Sequence, residues 1–164
     1  MENKQWEQIT LPHTPFVEPL TVLHQWQGIC YYKKKITITP EEAKKHIWIE
    51  FEGAMHLADV WINGKYVMQH AGGYTPFVVD ATGLLKTGKE NELLVRLDNR
   101  NNSLIPPGKP LETLDFCYYG GIYRNVHLIA KADVHITHPI LDGHPAGAGI
   151  FITYPKVSQE LSVV

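Results

Sequence analysis

Hydrolysis of a glycosidic bond needs two carboxyl groups, about 5–5.5 Å apart if configuration is retained and about 6.5–9.5 Å apart if it is inverted. Glu50 and Glu52 lie two positions apart in His46-Ile-Trp-Ile-Glu-Phe-Glu52. On an extended strand they share one face at roughly 7 Å, an inverting separation. Their strand turns Ile47, Ile49 and Phe51 to its other face, which makes the Glu face, with His46 and Trp48, the solvent side. Nothing nearby raises the pKa of one carboxyl above the other, as an acid and a base require. The pair reads as surface residues. Glu41 and Glu42 point to opposite sides if extended and follow Pro40 in a turn, so they too read as surface.

Nine histidines raise the question of a metal. His135 and His138 are offset by three, which on a strand sends their rings to opposite faces. No His-Glu-x-x-His occurs, and no facial pair has a third ligand. A Gly-x-Ser-x-Gly elbow and a glycine-rich phosphate loop are also missing. No cofactor is expected in this chain. One constellation remains, the run Asp115-Phe-Cys-Tyr-Tyr-Gly-Gly-Ile-Tyr-Arg124. A carboxylate beside aromatic rings suits a sugar, because it accepts from hydroxyls while a ring covers the apolar C–H side. Asp115, Tyr118 and Tyr119 are the candidates. The same residues also fit a turn aspartate with tyrosines packed at a sandwich rim.

These residues must be positioned by strands. Helical periodicity is nearly absent, and short alternating segments bounded by Gly, Pro, Asn and Asp recur. Ala58, Val60 and Ile62 share a face, and Asn63-Gly64 follows as a type I′ hairpin turn, with Lys65 to His70 returning. Strands are expected from about Ile29 to Thr39, over Leu93, Val95 and Leu97, and from Ile122 to Ile129. The core is predicted to hold Ile47, Ile49, Phe51, Val60, Ile62, Leu93, Val95 and Leu97. Gly83 to Gly88 reads as a turn or one helical turn. Asn99 to Thr113 contains three Asn, three Pro, one Gly and one Ser without alternation. A loop that long is usually functional. The expected architecture is all-β, an antiparallel sandwich of jelly-roll type.

The 164 residues suit one domain with part of a second. With 44% hydrophobic and 20% charged residues, a packed core is affordable. Net charge is −2, from 15 basic and 17 acidic residues. Without a basic stripe nucleic acid is a poor partner, and Lys33-Lys34-Lys35 reads as a solvated edge strand. No apolar run reaches the ~20 residues of a membrane span, and no leader is visible. The compartment stays open between bacterial cytoplasm and periplasm. Whether Cys30 and Cys117 pair is also open. After about Asp133 the chain turns glycine-rich, then Ile150-Phe151-Ile152-Thr153 looks like a new strand. Residues 1–133 therefore read as one domain and 134–164 as a linker with the first strand of another. An orphan strand should seek an edge, its own or a neighbour's, with self-association as one outcome.

The run from Asp115 to Arg124, with Asn125-Val126 after it, resembles the end of the sugar-binding domain of glycoside hydrolase family 2. Ordered matches precede it: Leu11-Pro12-His13-Thr14, Tyr31-Tyr32-Lys33-Lys34, Phe51-Glu52-Gly53-Ala54, Asp59-Val60-Trp61-Ile62-Asn63-Gly64, Gly72-Gly73-Tyr74-Thr75-Pro76-Phe77 and Asn91-Glu92-Leu93-Leu94-Val95-Arg96. The resemblance implies a galactose-binding-domain-like jelly roll. It implies that the tail begins an immunoglobulin-like domain, and that the catalytic glutamates sit on a later (β/α)₈ barrel. Asp115 would then reach into the barrel's pocket and bind hydroxyls of a terminal β-linked sugar. Cys117-Tyr118 stands where the glucuronidase-like version carries Phe-Asn, which favours a β-galactosidase-like parent over a β-glucuronidase.

Three functions are compatible with this reading: a module completing a distant active site, a self-sufficient carbohydrate-binding module, and a structural domain supporting a homo-oligomer. Sugar titration of the isolated chain separates the first two, since only the second binds by itself. A barrel needs about 250 residues, so the chain alone is expected to be inactive. The check is a chromogenic β-galactoside: turnover above a buffer blank, lost on changing Glu50 or Glu52, would contradict this.

Overall fold

The structure is a computed structural model describing residues 6–17, 25–114, 116, 118–143, 149–150, 152–158 and 162–163. Seven strands build two antiparallel sheets: β1 Ile29–Ile36, β2 His46–Phe51, β3 Leu57–Ile62, β4 Lys65–Ala71, β5 Phe77–Asp80, β6 Asn91–Asp98 and β7 Val126–Lys131. One sheet has the order β1-β6-β3-β4 and the other β5-β2-β7. The expected sandwich is what forms.

Alternation dictates the packing. In β3 and β6 the pairs Ala58–Leu97, Val60–Val95 and Ile62–Leu93 face one another, all directed inward. From the other sheet Ile49 pairs with Val79, and Phe51 with Phe77. The Phe51 and Phe77 rings stack at 4.5 Å and 4°. All eight predicted core residues are buried in this one cluster. The predicted hairpin is also present, with φ of 52° at Asn63 and 76° at Gly64. Only small or locally hydrogen-bonded residues tolerate that region cheaply. As an edge strand, β1 carries the lysine run, with Lys33 and Lys35 paired to Glu92 and Glu90 at 2.5 and 2.9 Å.

At the start of β6, Asn91 is completely buried. Its amide nitrogen donates to the carbonyls of Lys86 and Lys89, while its oxygen accepts from Lys86 N–H and from the Asn63 amide. One side chain thereby closes the turn Gly83–Gly88 against the hairpin.

Several expectations need correcting. The first strand ends at Ile36, and Ile38 makes only an isolated parallel bridge to Thr87. The last sandwich strand begins at Val126 rather than Ile122. Residues 121–125 are committed elsewhere: Gly121 bridges Met55, and the Ile122 and Asn125 carbonyls accept from His13 and Glu52. Ile150, Ile152 and Thr153 lie outside any strand, and Phe151 falls outside the described residues. The two tail strands, β8 Lys156–Val157 and β9 Ser162–Val163, come later and pair with each other, not with a sandwich edge.

Trp48 departs furthest from its expected place. It was assigned to a solvent face but is only 6% exposed. The tail crosses that face, and the His135 and His138 rings stand edge-on to the indole at 5.1 and 5.6 Å.

Phe51→Ala should destabilise the domain by about 3–5 kcal/mol, because the ring is fully enclosed and its cavity cannot collapse. Asn91→Ala should cost about 2–4 kcal/mol by leaving buried backbone groups unpaired. Urea denaturation midpoints of the two variants provide the check.

Candidate functional site

The ends of β2, β4 and β6 and the starts of β1, β3, β5 and β7 gather at one end of the sandwich, as the pairings of Leu57 with Ala71 and Asp98, and of Phe51 with Phe77 and Val126, require. Three connections meet there: Glu52–His56, Gly72–Pro76 and the long stretch from Asn99 to Asn125. Asp115 and Cys117 lie outside the described residues.

Tyr118 points inward and is 3% exposed, against Met55, Leu111, Leu114 and Tyr123. Its hydroxyl lies 2.9 Å from His56 Nδ1 and 3.3 Å from the Pro106 carbonyl. Burial pushes the phenol well above its usual pKa and holds the His56 imidazole below its own. Both groups are therefore neutral near pH 7, as a buried hydrogen-bonded pair should be. Tyr119 is half-buried, and Phe116 is 46% exposed. The half-exposed Tyr74 ring stands 6.1 Å from Tyr118, and Tyr123 donates its hydroxyl hydrogen bond to the Gly73 carbonyl. The long stretch is thus tied to both neighbouring connections.

Two glycines make that approach feasible. A Cβ at Gly120 would meet the Asn99 amide at 2.8 Å. Gly121 has φ +102°, and a Cβ there would meet the His13 carbonyl and Tyr32 hydroxyl at 2.6 Å. Neither position tolerates a side chain.

The long loop is pinned along its length. Asn99, 2% exposed, donates from its amide to the Trp26 carbonyl at 2.9 Å and accepts from Gly28 N–H at 2.8 Å. Asn101 Oδ1 accepts from the Gln27 amide and from Leu111 N–H. Asp98 binds Arg100 and Arg96, and the Arg100 hydrogen bond holds its carboxyl below the usual range. It is occupied as a structural anion.

The other candidates do not join this end. Glu52 accepts from His127 at 3.0 Å and from Asn125 N–H, which keeps its carboxyl below the ordinary value, the wrong direction for a proton donor. Glu50 lies 3.6 Å from His138. Each glutamate of the tempting pair has its own histidine. His135 and His138 are not on a strand, and both their rings contact Trp48 instead of diverging. Among the described residues, no three metal-ligating side chains converge. Sequence reasoning passed over Gln25, His56 and Asn99, whose partners are all remote in the chain. An Asn directly after a strand was the only local hint.

Comparison with known proteins agrees with this geometry. A family model described as glycosyl hydrolases family 2, sugar binding domain, matches residues 8–132. A β-galactosidase of Thermoanaerobacter pseudethanolicus is 36% identical over 82% of this chain and 18% of its own length. A β-glucuronidase of Bacteroides fragilis is 34% identical over 93% of this chain and 21% of its own. The crystal structure of Bacteroides uniformis β-glucuronidase superimposes with TM-score 0.79 at 33% identity, covering 96% of this chain and 18% of that one. The chain spans about a fifth of the length of these relatives. On this sequence match and this shared fold, the chain belongs to the glycosyl hydrolases of family 2, as their sugar-binding domain.

Proposed function

We propose that this domain completes the active site of a larger hydrolase of terminal β-D-galactosides without supplying either catalytic carboxyl group. The proton donor and nucleophile belong to a (β/α)₈ barrel elsewhere in the parent, with an immunoglobulin-like domain between. Asp115 is the domain's contribution. Its carboxylate accepts hydrogen bonds from hydroxyls of the terminal sugar, holding the ring for attack without transferring a proton. Tyr119 offers a neighbouring aromatic face. Tyr118, sealed from solvent, acts by fixing the segment.

The observation that carries this reading is the setting of the two residues that flank Asp115 in the sequence: Leu114 is packed into the Met55–Leu111–Tyr118 cluster, and Phe116 is exposed at the loop end of the sandwich. A β-glucuronide is the second reading, favoured by the similarity to the Bacteroides glucuronidases. Parallel assays on 4-nitrophenyl β-D-galactoside and 4-nitrophenyl β-D-glucuronide separate the two.

Hydrogen bonds to a charged acceptor contribute about 1.5–3 kcal/mol. Asp115→Ala in the full-length parent should therefore lower kcat/KM at least roughly tenfold. The same change should barely move the melting temperature of the isolated domain. A destabilised domain with normal parent kinetics would reject the sugar contact.

A further inference from the structure

Gln25 stands where the entry strip, residues 25–28, passes the segment that follows the long loop. Its Nε2 donates to the Phe116 carbonyl at 3.3 Å, and its Oε1 accepts from Tyr118 N–H at 2.5 Å. A carboxamide carries a donor and an acceptor in one rigid plane. It can therefore grip two backbone groups of opposite polarity. Neither a carboxylate nor an ammonium could do this.

The grip is anchored from behind. Asn99 holds the Trp26 carbonyl and Gly28 N–H, and Asn101 holds the Gln27 amide. The far side of the segment is fixed as well, with Leu114 packed into the small cluster and the Tyr118 hydroxyl held at His56 and Pro106. Leu114 and Tyr118, on either side of Asp115 in the sequence, thus have packed side chains, and the backbone is held at Phe116 and Tyr118.

We propose that Gln25 is a positioning residue for Asp115, acting through the Phe116 carbonyl and the Tyr118 amide. The proposal rests on the reading of Asp115 as a sugar contact. A misplacement of about 1 Å in a reacting complex costs up to about a hundredfold in rate. The clamp therefore matters for catalysis beyond its small contribution to folding. A purely structural hydrogen-bond pair would stabilise the loop with no energetic link to Asp115.

The test uses the full-length parent with Gln25→Leu, Gln25→Glu, Asp115→Ala and the Gln25→Leu/Asp115→Ala double variant. Measured quantities are kcat and KM on both 4-nitrophenyl glycosides, melting temperature, and hydrogen exchange at the Tyr118 amide. Gln25→Leu should lower kcat/KM roughly tenfold when Asp115 is present and less than about twofold when it is Ala. Gln25→Glu keeps the acceptor for Tyr118 N–H and should fall between. Exchange at Tyr118 should quicken roughly tenfold while the β3 and β6 amides stay protected. Equal losses in both backgrounds, or unchanged Tyr118 exchange, would overturn the proposal. If Asp115→Ala is itself kinetically silent, the sugar-contact reading fails. The positioning role falls with it, and faster exchange at Tyr118 in Gln25→Leu would then mark a purely structural hydrogen bond.

Discussion

The Asn99 side chain is the contact on which the loop end depends. Strands β1 and β6 stop pairing at Ile29 and Asp98. The half-buried chain before Ile29 still carries backbone groups that need partners. Asn99 supplies the missing partners, binding residue 28 through its backbone and residues 26 and 28 through its amide. A buried backbone group left unpaired costs about as much as a lost hydrogen bond. Asn99 thus carries the sheet's hydrogen bonding past its last paired residues without adding a strand. Gly120 must then lack a side chain, because Asn99 occupies the space its Cβ would take.

Asn91 does comparable work at the opposite end of the same strand. It ties the turn before β6 to the hairpin, as Asn99 ties the strip before β1 to the loop after β6. Strand β6 therefore runs between two buried amides, with Leu93, Val95 and Leu97 filling the core between them. Hydrophobic burial drives association of the sheets but has no direction. These directional contacts select which loops meet at each end. They hold a long irregular loop against the end of the sandwich.

The fold was legible where residues answer to their immediate neighbours. Alternation in β2, β3 and β6 located the core face, and Asn63-Gly64 located a hairpin, because both signals depend on local geometry. Boundaries at Ile36 and Val126 were not legible, since remote partners hold the residues beyond them: Thr87 and Gly88 at Ile38, Met55 and His13 at Gly121 and Ile122. The inward turn of Tyr118 was hidden for the same reason: its hydroxyl partners are His56 and Pro106, and nothing near Tyr118 announces either. Glu50 and Glu52 had the spacing of a catalytic pair. What disqualifies them is the company of His127 and His138, which comes from other segments. Asp115 was legible as a candidate only through its aromatic neighbours and the family pattern.

The covering of Trp48 bears on where this domain ends. The family match stops at residue 132, yet His135 and His138 shield the indole, and His138 also approaches Glu50. A chain cut at residue 132 would strip this lid and present the indole to water beside its cross-strand neighbour Ile129. The family match thus stops short of the part that keeps Trp48 dry, which extends at least six residues further, from 132 to His138. For anyone transplanting or splitting this module, the safe cut lies beyond the histidines.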